Sequence, residues 1–271
     1  MKTLVKILCL ALAVCMCLTC AACGAAKTES NADAKEKLIM ATNAAFPPYE
    51  YKDGDDFAGI DVEIAGLIAD KLGMELEILD VEFGSIIGGV QSGKYDMGMA
   101  GMTVTDERLK SVNFSNTYAN GIQSVIVKED SKYASFEDFY TGFDDEGNPT
   151  GVKEGIKIGV QQDTTGDIYS SDKPAKWGFG EDNVIRYKTG AEAVMALSSG
   201  KVTAVIIDNE PAKSYVASTK GLKILEGEYA NEDYAICVAK ENNELLEKIN
   251  GALKELTDAG KVQEIIDKYI K

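Results

Sequence analysis

The sequence contains no histidine, and only one of its six cysteines, Cys237, lies beyond residue 23. The missing histidine excludes hydrolases that depend on a histidine base, and it excludes histidine-ligated zinc. A single thiol cannot form a disulfide framework, so core packing must hold the folded part together. Cys237 lies in the apolar run 234–239, which is typical of an inert buried residue.

Basic residues are also scarce. The 28 Lys and Arg face 44 Asp and Glu, a net charge of −16, and only Arg108 and Arg186 are arginine. This charge argues against binding of nucleic acid, whose phosphates require a basic surface, and against a polybasic membrane-surface protein. At 271 residues and 45% hydrophobic, the chain can form one large domain or two ordinary ones.

The N-terminal segment has the pattern of a secretory signal. Lys2 and Lys6 precede the apolar run 7–18, and Cys20-Ala-Ala-Cys23-Gly follows. Two small residues before Cys23 resemble a bacterial lipobox, although Cys20 stands where that motif usually has Leu. We therefore predict a signal peptide over 1–23, lipidation of Cys23 and a flexible tether over 24–37. The alternative is an uncleaved anchor, because residues 7–26 carry no charge. Either way, the folded part is expected outside the cytoplasmic membrane and tethered to it.

From residue 38 onward, the pattern alternates between strand and helix. The apolar spacing and the Gly, Pro and Thr signals predict strands over 38–42, 74–78, 95–104, 156–161, 184–188 and 202–207, and helices over 60–72, 85–93, from 105, from 164 and over 190–197. Thr105 is the expected N-cap of its helix. The alternating elements fall into two series, one from 38 to the helix at 105 and one from 156 to 207. They predict two α/β lobes, with the polar segment 133–154 as a surface excursion of the second lobe.

Ligands of open α/β sheets bind beyond the carboxyl ends of the strands, which between two lobes means a shared cleft. Arg108 is a candidate there because a planar guanidinium fork suits a carboxylate and the first helical turn favours an anion. It could instead pair with Asp106 or Glu107. Asp208 follows a buried strand, so it could accept bonds from an ammonium group or cap the next turn.

Several segments resemble a known family. ATNAAFPPYEY, FAGIDVEIAGLIADKLG, FGSIIGGVQSGKYDMGMAGMTVTDERLKSVNFS, KIGVQQDTTGD and VIIDNEP are similar to the polar amino-acid solute-binding proteins of ABC importers, such as the glutamine-binding and lysine/arginine/ornithine-binding proteins. The resemblance runs from about residue 38 to the C-terminus. It implies an α/β, two-lobed, periplasmic-binding-protein-like (type II) fold with two crossing strands, near 118–124 and 228–235. Lobe 1 would comprise 38–121 and 232–271, and lobe 2 would comprise 122–231.

The resemblance also implies roles in the cleft. Arg108 would bind the ligand α-carboxylate with help from Thr103 and the backbone of Thr164 or Thr165, while Asp208 and the Gly101 carbonyl would hold the α-ammonium. The expected ligand-binding set is Asn43, Phe46, Phe83, Gly101, Met102, Thr103, Arg108, Gln161, Thr164, Thr165 and Asp208, with Phe46 and Phe83 flanking the ligand side chain. Asn43 stands where well-known relatives carry Asp, which makes a strictly cationic specificity less secure. Asp163 replaces a small residue and adds a charge near the cleft mouth.

The resemblance thus implies capture of a free polar or charged L-amino acid and its delivery to an ABC permease with its ATPase, without a cofactor or metal. Two alternatives remain at this point. A cleft enzyme of the same fold, such as a dehydratase, needs a positioned acid, for which Glu50, Glu82 or Asp163 are candidates. A ligand-sensing module is the second alternative, and it normally continues into a transmembrane segment and an output domain.

Overall fold

The computed structural model describes residues 35–270. The predictions for the signal peptide, for Cys23 and for most of the tether therefore lie outside the described residues. The compact unit that begins at Glu36 is built around two separate mixed sheets. Within the described part of the chain, no helix is both long and apolar enough to cross a bilayer.

The first sheet has the strand order β5-β1-β6-β16-β7, and a small sheet β2-β3-β4 lies beside it. Its N-terminal elements are β1 Lys37–Thr42, β2 Ala45–Phe46, β3 Glu50–Asp53, β4 Asp56–Ala58, α1 Ile60–Leu72, β5 Glu75–Asp80, α2 Ile86–Gln91, β6 Met97–Gly98, α3 Arg108–Ser111 and β7 Val112–Phe114. The C-terminal part of the chain returns to this sheet with β16 Cys237–Ala239, α7 Asn243–Asp258 and α8 Lys261–Tyr269.

The second sheet has the order β12-β11-β13-β8-β14, with β15 paired to β8. Its elements are β8 Ala119–Lys128, β9 Tyr140–Phe143, β10 Pro149–Val152, β11 Ile158–Gln161, α4 Thr165–Ser171, β12 Val184–Tyr187, α5 Gly190–Ser198, β13 Ala204–Asp208, α6 Asn209–Ser218, β14 Leu222–Ile224 and β15 Ala230–Tyr234. Strands β11, β12 and β13 run parallel, and β8 runs antiparallel to β13.

Two strands connect the sheets. β8 and β15 pair antiparallel from Ala119 opposite Tyr234 to Gln123 opposite Ala230. β8 continues into the second sheet, whereas the chain leaves β15 for β16 in the first sheet. The expected two-lobed fold with two crossing strands is confirmed.

The periodicity of α1 explains its place in the first lobe. Ile60, Ile64 and Ile68 recur every fourth residue and are fully buried, so one face of the helix packs on the sheet. Gly73 ends the helix with φ of 71°, a left-handed conformation that glycine adopts without strain. The predicted helix over 60–72 is confirmed.

The predicted strand over 95–104 is largely wrong. Only Met97–Gly98 forms a strand of the sheet, and Thr103 makes an isolated antiparallel bridge to Tyr234 of β15. Gly101 has φ of 51°, and its N–H donates to the Asp61 carboxylate at 2.8 Å rather than to a strand. The helix predicted from 105 is also shorter than expected, beginning at Arg108, although the Thr105 hydroxyl accepts from the Arg108 N–H at 3.2 Å as a cap would.

The segment 133–154 is more than a surface excursion. It forms the hairpin β9–β10, and Phe139 and Tyr140 are buried in the apolar core of the second lobe. Tyr140 stacks on Phe179 with ring centroids 5.2 Å apart. The acidic residues that made the segment look external occupy its turn, where Asp144 accepts from the N–H groups of Glu146 and Asn148.

Candidate functional site

A cavity of about 310 Å³ lies where strand ends of the two sheets face each other. It is lined by Asn43, Phe46, Glu50, Phe83, Ala100, Gly101, Thr103, Arg108, Gln161, Thr164, Thr165 and Asp208. Every residue of the expected ligand-binding set except Met102 is among them. Residues far apart in the sequence meet here because β1, β11 and β13 all end at this cleft.

Met102 does not line the cavity. Its side chain is buried in an apolar cluster with Ile86, Val112 and Cys237. Thr103, which bridges to Tyr234 of β15, lines the cavity, whereas the side chain of the preceding Met102 packs into the core. Cys237 is fully buried, as its apolar surroundings in the sequence suggested, and burial raises the pKa of its thiol to about 12.

Arg108 is buried, and among residues 35–270 no carboxylate forms an ion pair with it. Its guanidinium donates to the backbone carbonyls of Thr103 at 2.8 Å and Asp163 at 3.2 Å, and it lies over the Phe83 ring at 5.3 Å. The alternative pairing with Glu107 is wrong, because Glu107 pairs with Lys110. Burial lowers the pKa of Arg108, and the nearby Glu232 opposes that shift.

Asp208 ends β13 with its carboxylate buried at the cavity. It does not cap α6 through its side chain. Its two oxygens instead accept from Gln123 Nε2 at 2.8 Å and from the Tyr234 hydroxyl. Burial, together with the Glu232 carboxyl group, raises the pKa of Asp208 well above its usual value. A cationic ligand group at this position would stabilise the ionised form.

The threonines at the cavity make different kinds of hydrogen bond. Thr164 is the N-cap of α4, accepting from Asp167 N–H at 3.3 Å and donating to the Gln161 carbonyl at 2.8 Å. Its hydroxyl is therefore already committed. The Thr103 hydroxyl donates to Glu232 at 3.0 Å and lies 3.4 Å from the Thr165 hydroxyl, which brings the two lobes together beside Arg108.

Asn43 and Gln161 face each other from opposite lobes. Gln161 Nε2 donates to Asn43 Oδ1 at 2.9 Å, Asn43 Nδ2 donates to the Val81 carbonyl at 2.8 Å, and Gln161 Oε1 accepts from Gly190 N–H at 3.2 Å. These bonds fix the orientation of both amides. This side of the cavity is therefore polar but uncharged.

Sequence reasoning missed two acids. Glu50, weighed above only as the acid of an enzyme, lines the cavity with 1% of its surface exposed, and its Oε2 has no hydrogen-bond partner among the described residues. Glu232 on the crossing strand β15 is buried behind Thr103 and Gln123. The position of Glu50 as a lone acid between two tyrosines could have indicated a buried carboxyl group. No feature of the local sequence indicated that Glu232 is buried. The other proposed acids, Glu82 and Asp163, are exposed and do not line the cavity.

Known proteins share the sequence pattern of this chain. Residues 38–271 match the bacterial extracellular solute-binding proteins, family 3. The chain belongs to this family. It is 32% identical over 266 residues, 97% of each chain, to the arginine-binding extracellular protein ArtP of Bacillus subtilis (strain 168).

Solved structures agree with this family 3 assignment. An ancestral arginine-binding protein bound to arginine is 36% identical, with a TM-score of 0.76 over 88% of this chain and 99% of that one. An ancestral arginine-binding protein bound to glutamine is also 36% identical, with a TM-score of 0.75 over 87% and 98%. These likenesses extend over nearly the whole length of both solved structures.

Proposed function

We propose that this family 3 protein captures a free cationic L-amino acid of the arginine type in its interlobe cavity and delivers it, unchanged, to an ABC importer. The observation that carries the proposal is that the cavity offers a positive group to one end of such a ligand and a negative group to the other. Among the described residues, one cavity contains Arg108, whose guanidinium has no carboxylate partner, and Glu50, whose buried Oε2 has no hydrogen-bond donor.

Arg108 binds the ligand α-carboxylate in this proposal. Its guanidinium is buried, and within residues 35–270 it donates only to carbonyl oxygens, which leaves its positive charge available to an anion. Thr165 lies beside it and supplies a hydroxyl donor, and Thr103, whose hydroxyl donates to Glu232, supplies its N–H. Asp208 and the Gly101 carbonyl bind the α-ammonium, since both lie on the cavity wall.

The ligand side chain lies between Phe46 and Phe83, and its cationic end reaches Glu50. A guanidinium can stack on an aromatic ring and still donate to a carboxylate. Similar proteins also support arginine as the ligand, since ArtP is named as an arginine-binding protein and one ancestral structure is bound to arginine. Glutamine is the second candidate. The ancestral protein bound to glutamine favours it, and so does the uncharged Asn43–Gln161 pair.

Lobe 1 is assigned to 38–121 with 232–271, and lobe 2 to 122–231. The pairing of β8 with β15 supports these boundaries, and the lobes close on the ligand about this pair. Lipidation of Cys23 would hold the protein at the outer face of the membrane, with 24–37 as a tether, so that it meets the permease and its ATPase there.

The test is isothermal titration calorimetry with the twenty amino acids and citrulline, preceded by removal of co-purified ligand. We expect arginine to bind more tightly than citrulline, because citrulline keeps the shape and lacks the charge. Tighter binding of glutamine or citrulline would replace arginine with a neutral ligand. Chromatography of the bound and free fractions should return the amino acid unchanged, and a new product would instead indicate a cleft enzyme.

A further inference from the structure

Two buried carboxyl groups lie against each other at the edge of the cavity. Glu50 begins β3, and Asp61 lies in the first turn of α1; both are at most 1% exposed. Asp61 Oδ2 accepts from Gly101 N–H at 2.8 Å. Glu50 Oε2, Asp61 Oδ1 and the Tyr118 hydroxyl are buried without another partner among residues 35–270, and the Asp61 carboxyl group is within hydrogen-bonding reach of both the Glu50 carboxyl group and the Tyr118 hydroxyl.

Ionised carboxylates only accept hydrogen bonds, so a bond between Glu50 and Asp61 requires that one of them carries a proton. No lysine or arginine in the described range pairs with either group. The titratable side chains that face the pair are those of Tyr49, Tyr118, Asp208 and Tyr215, with Glu210 acting on Tyr49. None of these groups is a cation, so no described residue compensates two negative charges at this place.

The titration behaviour agrees with this geometry. Burial, reinforced by the neighbouring Asp61, raises the pKa of Glu50 well above its usual value. Burial raises the pKa of Asp61 to about 6, although the Gly101 N–H opposes that shift. Both shifts favour retention of a proton by the pair, as in other carboxyl groups that share a buried site.

We propose that Glu50 and Asp61 share one proton in the ligand-free protein, and that a cationic side chain arriving beside Glu50 displaces it. The O–H bond of the pair breaks, the proton passes to water or buffer, and the electron pair stays on the carboxylate that faces the ligand. Glu50 contacts the ligand, whereas Asp61 acts through Glu50 and is a positioning residue. This inference rests on the proposed function and adds proton release to capture.

Thermodynamic linkage between proton release and ligand binding gives the expected dependence of the affinity on pH. If cation binding releases one proton, the affinity rises by about tenfold for each pH unit between the pKa values of the bound and free pair. A neutral ligand of the same shape leaves the proton in place. The α-ammonium that reaches Asp208 is common to both ligands, so any proton released there cancels when the two are compared.

The experiment measures protons released by L-arginine and by L-citrulline. Calorimetric titrations at pH 7 are run in buffers of different ionisation enthalpy, and the slope of binding enthalpy against ionisation enthalpy counts the protons. We expect arginine to release about one proton more than citrulline, and arginine affinity to rise between pH 6 and 7.5 while citrulline affinity rises less. Equal proton counts for the two ligands in the wild-type protein would overturn the coupling.

Asp61→Asn separates this role from a structural one. The new amide can donate to Glu50 and still accept from Gly101 N–H, so Glu50 is ionised before the ligand arrives. Arginine should still bind, but the additional proton should disappear and the pH profile should flatten. An undiminished proton count in Asp61→Asn contradicts the proposal. Asp56→Asn, which removes an exposed acid from the neighbouring β4, is the matched control and should retain the wild-type count.

The failure of this inference differs from the failure of the proposed function. Arginine binding without additional proton release overturns the coupling and leaves arginine capture intact. Absence of binding by every amino acid overturns both. The wild-type comparison of the two ligands requires no variant, so it decides the coupling even if Asp61→Asn does not fold.

Discussion

Gln161 Nε2 donates to Asn43 Oδ1 at 2.9 Å, which links the two lobes across the cavity through uncharged side chains. Asn43 can do this because its own Nδ2 is held by the Val81 carbonyl at 2.8 Å. The amide oxygen is thereby oriented towards the opposite lobe. A carboxylate at position 43 could accept from Gln161, but it could not donate to Val81.

Removing this link should weaken ligand capture. Asn43→Ala deletes the acceptor of Gln161 and the donor to Val81, leaving buried polar groups unpaired at a cost of about 1–3 kcal/mol each. We expect a decrease in arginine affinity of about tenfold or more, measured by calorimetry. Asn43→Asp should increase the ratio of arginine to citrulline affinity, because it adds a negative charge. Gln263→Ala, which alters an exposed amide on α8, should change neither quantity; an unchanged affinity in Asn43→Ala contradicts the interlobe role.

Arg108 is expected to dominate the affinity. Arg108→Ala would leave the ligand α-carboxylate buried without its partner, at a cost of about 3–5 kcal/mol, or two to four decades in Kd. Arg108→Lys should recover only part of this, because an ammonium cannot make two parallel bonds. Calorimetry with arginine provides the measurement.

The matched control for Arg108 is the other arginine. Arg186 is already bonded to Asp167 at 2.8 Å and Glu181 at 2.6 Å, and it does not line the cavity. Arg186→Ala should therefore lower the thermal midpoint while leaving the affinity nearly unchanged. If Arg108→Ala folds and binds arginine like the wild type, the assignment of the α-carboxylate site is wrong.

The buried acids should make the stability of the ligand-free protein depend on pH. Because the pKa values of Glu50 and Asp61 are raised on folding, the native state binds more protons than the unfolded state above about pH 4. This contribution to stability is complete at or below the unfolded pKa values and is lost as pH rises through about 6, the folded pKa of Asp61, and through the raised pKa of Glu50.

Glu50→Gln tests whether stability falls with rising pH because of this pair. The amide can donate to an ionised Asp61, so the decline in the free energy of unfolding from pH 5 to 8 should become shallower, by about 1.4 kcal/mol for each unit of pKa shift removed. Denaturant titrations of ligand-free protein across this range give the slopes. Parallel curves for Glu50→Gln and the wild type would show that the pair does not carry the proton.

Membrane attachment is predicted to depend on Cys23. Cys23→Ser should abolish lipid labelling and yield released protein or an unprocessed precursor, whereas Cys20→Ser should retain the label. Metabolic labelling with a fatty acid, followed by separation of membrane and soluble fractions, provides the readout. A label that survives Cys23→Ser and disappears in Cys20→Ser assigns the lipid to the other cysteine.

Local sequence determined most elements and much of the site. The four-residue spacing of Ile60, Ile64 and Ile68 specifies a helix with one apolar face, and Thr164 and Thr189 have the side chains that cap α4 and α5. Residues that end buried strands could be predicted to meet in a cleft, because the carboxyl ends of parallel strands lie at one edge of a sheet. Family resemblance then supplied the roles of Arg108 and Asp208 that local chemistry had left open.

Only the tertiary structure decided which polar groups are buried together. Met102 is apolar and adjacent to cavity residues, yet its side chain packs into the core beside Val112 and Cys237. Glu50, Asp61 and Asp208 come from separate segments, so no local pattern could reveal that they are buried close to one another at the cavity. The charge of each depends on desolvation and on its distance from the others, and both quantities exist only once the lobes have been packed together.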